Sequence, residues 1–252
     1  MKVKFGKVEQ YIYKRLEKGP LHFSLMDPDP NKISTKKIEE LAKNLKKIGT
    51  DAIIVGGSTG VTMKSLDKAI KAIRKHFSFP IILYPGSSGG VSRYADGILF
   101  MSLLNSKDPS WIVGHPKIGA QFVKANKIEP LPMAYLVVEP GMKAGEVGCA
   151  ELIRRDETST AVDYAVTAQF FGMRFVYLEA GSGADRPVPA EMISAVKKNA
   201  KVTLIVGGGI RTPASAQAAV KAGADIIVTG TIIEDDITRV KSIIDAIKKF
   251  RK

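Results

Sequence analysis

A chain of 252 residues with a 45% hydrophobic fraction has the size and apolar content of one eight-stranded α/β barrel, and excludes a disordered segment. A single cysteine, Cys149, rules out an intramolecular disulfide framework. The formal charge of +13 asks for an anionic partner, but its lysines (Lys36, Lys37, Lys43, Lys46, Lys47, then 64–75) spread over helical segments without aromatic interleaving, a basic solvated surface and not a nucleic-acid groove.

At the N-terminus, Lys2, Lys4 and Lys7 interrupt the apolar residues, so no signal-peptide core forms. No run reaches the roughly 18 apolar residues of a membrane span, and a cytoplasmic protein is expected. Val8, Tyr11, Ile12 and Leu16 predict a helix ahead of the first strand, placed to close a barrel floor. That strand is expected at 22–26 and runs into Met-Asp-Pro-Asp-Pro (26–30). A proline after each aspartate keeps the chain extended and leaves Asp27 and Asp29 close together and free of helix capping. Two readings stay open: a turn, for which Asp-Pro is common, and a Mg²⁺ site.

Ile38, Leu41, Leu45 and Ile48 predict the next helix, with Ser34 or Thr35 to cap it and Gly49 to end it. A strand at 52–55 leads into Val-Gly-Gly-Ser-Thr-Gly (55–60), where Ser58 offers a hydroxyl beside Asp27. Leu66, Ile70, Ile73 and Phe77 mark another helix, and a strand follows at 81–84. Only the twelve residues 85–96, three of them glycine, separate it from a strand at 97–101. That is too short and too flexible for a crossover helix, so the barrel should lack its third outer helix. Further strands fall at 133–138, 174–178, 203–206 and 226–228, with the Val/Ile/Leu character of strands buried on both faces. Ile237, Val240, Ile244 and Ile247 predict the last helix. Eight strands alternating with helices predict a closed (β/α)8 barrel forming a single domain over residues 1–252.

Barrel enzymes carry their chemistry on the loops after the strands. The groups there are Asp27, Ser58, Tyr84, Glu139, Glu179 and two glycine clusters. Lysine and histidine are missing from this set, which argues against Schiff-base aldolase chemistry and histidine proton shuttling. His22 is expected at the floor, His76 at a helix end and His115 in a loop or helix start, all structural or exposed. Val-Gly-Gly-Gly-Ile (206–210) and Thr-Gly-Thr (229–231), at adjacent strand ends, predict backbone amides that cradle a phosphate. Alternation puts Phe175, Tyr177 and Glu179 on one face, with Glu179 topmost, as a general base or as an acid bonded to its own loop. A phosphate-binding isomerase or lyase using Asp27 with Glu139 remains a rival.

Taken together, the Asp-Pro-Asp motif, Val-Gly-Gly-Ser-Thr-Gly, Leu-Leu-Asn-Ser (103–106), Tyr-Leu-Glu-Ala-Gly-Ser-Gly (177–183), Val-Gly-Gly-Gly-Ile-Arg, Val-Thr-Gly-Thr and the shortened third connection resemble the archaeal geranylgeranylglyceryl phosphate synthase family, related to the bacterial heptaprenylglyceryl phosphate synthases. The resemblance implies condensation of sn-glycerol 1-phosphate with geranylgeranyl diphosphate, with Mg²⁺ held by Asp27 and Ser58. It implies that Tyr177, Leu178, Glu179, Ala180, Gly181, Ser182, Gly183, Gly208, Gly209, Gly230 and Thr231 bind glycerol phosphate, and that Glu179 is the base. It also implies a homo-oligomer, dimer or hexamer; from the dispersed basic charge no nucleic-acid partner is expected, and peripheral membrane contact stays open. Trp111, the only tryptophan, falls beside the missing helix, where it reads either as helix-to-barrel packing or as a stop that sets prenyl length.

Overall fold

The fold is given by a computed structural model that describes residues 4–57, 61–86 and 90–252. Eight parallel strands close on themselves: β1 (Leu21–Met26), β2 (Ala52–Val55), β3 (Ile81–Leu83), β4 (Gly97–Leu103), β5 (Glu129–Val137), β6 (Phe175–Glu179), β7 (Thr203–Gly207) and β8 (Ile226–Thr229). Each pairs with the next, and β8 returns to β1 with Phe23 opposite Val228. The helices around them are α1 (Lys7–Leu16), α2 (Thr35–Ile48), α3 (Met63–Arg74), α4 (His115–Ala125), α5 (Met142–Val147), α6 (Thr158–Phe170), α7 (Ala190–Asn199), α8 (Pro213–Lys221), α9 (Ile232–Asp235) and α10 (Ile237–Lys248). Among the described residues no helix joins β3 to β4, as the short glycine-rich connection requires.

Strand alternation sorts the core into two layers. Phe23, Ile54, Ile82, Leu99, Met133, Phe175, Ile205 and Ile226 fill the barrel interior. Their neighbours Met26, Ile53, Ile81, Leu136, Val176 and Val206 pack outward against the helices. The same alternation makes Asp27, Tyr84 and Glu179 the uppermost inward positions of their strands, so the topmost ring is polar above an apolar plug.

The helix ahead of β1 closes the floor. Val8 and Ile12 of α1 join the interior cluster. Gly6 at the cap position has no side chain to satisfy the first amides, and Glu129 at the start of β5 does so instead, accepting from Val8 N–H at 2.7 Å and Glu9 N–H at 2.9 Å. The α2 caps are those expected, with the Ser34 hydroxyl accepting from Lys37 N–H and Gly49 left-handed at φ 90°.

At the β1–β8 seam, the buried His22 ring touches the Thr50 hydroxyl through Nδ1 and the Thr229 hydroxyl through Nε2, each at 2.9 Å. Burial pushes its pKa down to about 3, so the ring is neutral. Beside it Asp51, fully buried, accepts from His22 N–H at 3.0 Å and pairs with the guanidinium groups of Arg15 and Arg251.

The structure departs from the expected boundaries at β5, which starts at Glu129 and not at 133. Pro130 and Pro132 read as strand breakers, but both lie on the side facing β6, which begins only at Phe175, where a missing N–H leaves no gap in a ladder. The short helices α5 and α9 are additions to the predicted plan, as is the π-helical turn Ser110–Gly114 that opens α4. No helix among the described residues is long and apolar enough to cross a membrane.

Candidate active site

The glycine clusters form a cradle at the ends of β7 and β8. Tyr177, Glu179, Ser182, Gly183, Gly208, Gly209, Gly230 and Thr231 line one pocket there. The Ser182 and Thr231 hydroxyls meet across it at 3.1 Å, tying the loop after β6 to the loop after β8. Gly208 has no substitute: its φ is 79°, and a Cβ would lie 2.6 Å from Gly181 N and also strike Glu179 Oε1. Its backbone therefore closes on the acid.

Arg211 lines the same pocket and is its only cation among the described residues. Its guanidinium donates to Gly183 O at 2.8 Å. The sequence left this arginine unassigned, because its side chain reaches the pocket only through the turn after Gly209; a cation immediately behind a glycine phosphate loop is the signal that would have found it.

Glu179 sits at the end of β6 and is 5% exposed. Its Oε1 accepts from Gly181 N–H at 2.6 Å. Burial raises its pKa, and the hydrogen bonds from Gly181, Tyr177 and Tyr135 pull against that rise. Beneath it Tyr177 lies 5.3 Å from Tyr135 and 6.3 Å from Tyr84, centroid to centroid, and Tyr84 and Tyr135 are joined by a hydroxyl hydrogen bond. Burial raises all three phenols, so they stay protonated and serve as donors. The bond to its own loop, one of the two sequence readings of Glu179, is present. The acid still faces the pocket.

On the far side of Glu179 a second cleft holds Asp27, Lys32, Gly57, Tyr84, Tyr135 and Lys143. Only one of the two aspartates faces it. Asp29 is 6% exposed and turned into its own loop, its Oδ1 accepting from Asn31 N–H at 3.0 Å. Asp27 keeps Oδ2 toward the cleft, where Lys32 Nζ stands at 2.7 Å. Gly57 packs so closely on Asp27 that a Cβ would meet its carboxylate. Ser58, the other expected metal ligand, lies outside the described residues. Asp27 and Glu179 are the carboxylates that line this cleft, within the one or two protein carboxylates that Mg²⁺ takes while leaving its remaining positions to water and phosphate. Among the described residues no group of three or more His, Cys, Asp or Glu is gathered as a metal cluster.

Next to this cleft an apolar groove opens where the third outer helix is missing. Pro85, Val91, Leu99, Met101, Leu103, Trp111 and Val123 line it. Trp111 is half-buried, with its ring edge-on to His115 at 4.6 Å. Tyr84 lines the polar cleft and the next residue, Pro85, lines the groove, so the two adjoin.

Three of the residues expected to bind glycerol phosphate line neither polar pocket. Leu178 and Ala180 face the helical layer, and Gly181 spends its amide on Glu179. Glu139 also turns away: its Oε2 accepts from Arg155 N–H at 3.3 Å, and it lines neither polar pocket, which removes the partner that an Asp27–Glu139 acid–base pair would need.

A closed parallel barrel with an anion cradle after β7 and β8, and a buried acid facing both it and a second charged cleft, defines a phosphate-binding (β/α)8 barrel. Within that class the chain belongs to the PcrB family, which it matches over residues 13–251. It is 56% identical over 232 residues to the geranylgeranylglyceryl phosphate synthase of Thermococcus kodakarensis, covering 92% of this chain and 91% of that protein. The crystal structure of (S)-3-O-geranylgeranylglyceryl phosphate synthase from Thermoplasma acidophilum in complex with sn-glycerol-1-phosphate superposes with a TM-score of 0.93 at 42% identity, over 98% of this chain and all of that one. An N-acetylmannosamine-6-phosphate 2-epimerase from Clostridium perfringens, at 15% identity and a TM-score of 0.56 over 95% of this chain and 98% of that one, shares the fold alone.

Proposed function

We propose that this chain is a prenyltransferase that joins sn-glycerol 1-phosphate to geranylgeranyl diphosphate, giving 3-O-geranylgeranyl-sn-glyceryl 1-phosphate and diphosphate. The observation that carries this reading is the position of Glu179. It lines both the phosphate cradle and the Asp27 cleft, and that cleft adjoins an apolar groove. Two anions and one apolar tail have three matching sites around one base.

Glycerol phosphate would rest its phosphate on the backbone around Gly208, Gly209 and Gly230, with Arg211 and Thr231 at the side. That leaves its free primary hydroxyl toward Glu179. The bond from prenyl C1 to the diphosphate oxygen breaks with its electron pair leaving on diphosphate; the glycerol oxygen bonds to C1 and its proton passes to Glu179. Mg²⁺ held by Asp27 and Ser58 would supply positive charge to the diphosphate. The Tyr84, Tyr135 and Tyr177 rings wall the reacting centre against water. A C20 tail carries a transfer free energy of about 16 kcal/mol at ~0.8 kcal/mol per carbon, before the costs of ordering it. The groove should therefore dominate affinity for the donor.

The test is a transfer assay with labelled sn-glycerol 1-phosphate and prenyl diphosphates of several lengths, with and without Mg²⁺. Ether product that requires Mg²⁺ is expected, and absence of product from any prenyl donor would refute the reading. Asp27→Ala should abolish Mg²⁺-dependent turnover yet leave calorimetric binding of glycerol phosphate nearly intact, because Asp27 lines only the second of the two adjoining pockets, and Gly208, Gly209 and Arg211 only the first.

A further inference from the structure

Two lysines face the Asp27 cleft that the reaction has so far left idle: Lys32 from the loop after β1, and Lys143 from α5 after β5. Each rests on a carboxylate. Lys32 Nζ lies 2.7 Å from an Asp27 oxygen and 3.7 Å from an Asp29 oxygen. Lys143 Nζ lies 2.9 and 3.0 Å from the two oxygens of Glu146, one turn along its own helix. Their side chains are 53% and 54% exposed, and ion pairs in such surroundings are weakly held, so either ammonium is free to change partner.

We propose that Lys32 and Lys143 receive the departing diphosphate, and that Lys32 in moving to it releases Asp27 to the metal. The proposal rests on the prenyl-transfer reading and names the cations that its leaving group requires. As the C1–O bond breaks, its electron pair stays on the diphosphate, whose charge grows in a cleft that also holds Asp27 and Glu179. Two carboxylates facing that anion would oppose the step, and the two ammonium groups balance them. Lysine is a compact point charge on a flexible stem, suited to following phosphate oxygens as they move. Both lysines act as hydrogen-bond donors to the diphosphate; the only proton transferred is the one that Glu179 takes from glycerol. Asp27 would hold the metal ion and Lys32 already pairs with that carboxylate, so the lysine would act as an internal counter-ion that keeps the carboxylate in place when no metal is bound.

The test uses two probes on the full-length protein, with no prenyl substrate present. Mn²⁺ alone is titrated by water-proton relaxation, and inorganic diphosphate alone by calorimetry. Lys32→Met should bind Mn²⁺ about two- to fivefold more tightly, because the competing cation is gone. It should also bind diphosphate about tenfold or more weakly, the effect of losing one charge-assisted hydrogen bond. Lys143→Met should weaken diphosphate similarly and leave Mn²⁺ binding unchanged. Both variants should bind sn-glycerol 1-phosphate like the parent, which also shows that they are folded. Unchanged diphosphate binding in either variant, or Mn²⁺ binding that does not tighten in Lys32→Met, overturns the proposal. Failure of the prenyl-transfer reading shows separately, as absence of ether product from the parent protein.

Discussion

A carboxylate that is 5% exposed must either find donors or give up its charge, and Glu179 stands between these outcomes. Burial lifts its pKa, while the Gly181 amide and the Tyr135 and Tyr177 hydroxyls favour the ionised form. As a base it works only when deprotonated, so kcat/KM should fall on the acid side at a pH above the ordinary carboxylate range. Glu179→Gln keeps the shape and an acceptor for Gly181, yet it should lower kcat by about 10² to 10⁴ and abolish that acid limb. Steady-state rates across pH decide it, and a variant with near-normal kcat means that some other group takes the proton. At this scale Asp27, Glu179 and the glycines were legible, because strand ends and backbone cradles leave a mark in the sequence. Arg211 and the two cleft lysines were not. Arg211 had only the weak signal of its place behind the glycine loop, and where Lys32 and Lys143 end up depends on the path of their loops, which no local pattern encodes.

The missing helix is the element that separates this barrel from a regular one, and α4 is its neighbour. Residues 110–114 form a π-helical turn before α4, the kind of local departure often found at functional sites. It carries Trp111 at the edge of the apolar groove, half-buried against the interior cluster and not enclosed by it. Trp111→Ala should therefore extend activity to prenyl diphosphates longer than C20 and cost less stability than the roughly 3 to 5 kcal/mol of a fully buried aromatic. Comparing C20 with C35 turnover alongside the melting temperature checks both. Unchanged chain-length preference with a large loss of stability would assign the indole to packing. The helix gap itself was readable, since twelve residues with three glycines cannot build a crossover helix. The start of β5 was hidden by prolines that do no harm where no neighbouring strand yet exists, and α5 and α9 are too short to show a helical period.

The whole molecule depends on one seam, where β1 meets β8. His22 spans it as a neutral ring between two hydroxyls, its pKa depressed to about 3 from an ordinary value of 6.5. In the unfolded chain the ring takes up a proton below 6.5, whereas the folded barrel refuses it until near 3, so acid favours unfolding through that window. The parent protein should lose on the order of 1.4 kcal/mol per pH unit there relative to His22→Gln. Urea denaturation of both proteins at several pH values between 7 and 4 measures this difference, and parallel pH profiles would show that His22 does not govern the seam. Pairing β1 with β8 also orders events in time. Leu21 and Ile226 are partners although about two hundred residues of chain lie between them. During synthesis β1 therefore keeps one row of backbone hydrogen-bonding groups unpaired until β8 emerges, and that open edge can pair with another nascent chain. Arg251, the second of the two arginines on Asp51, follows β8 in the chain, so that clasp too is completed only after the last strand is made.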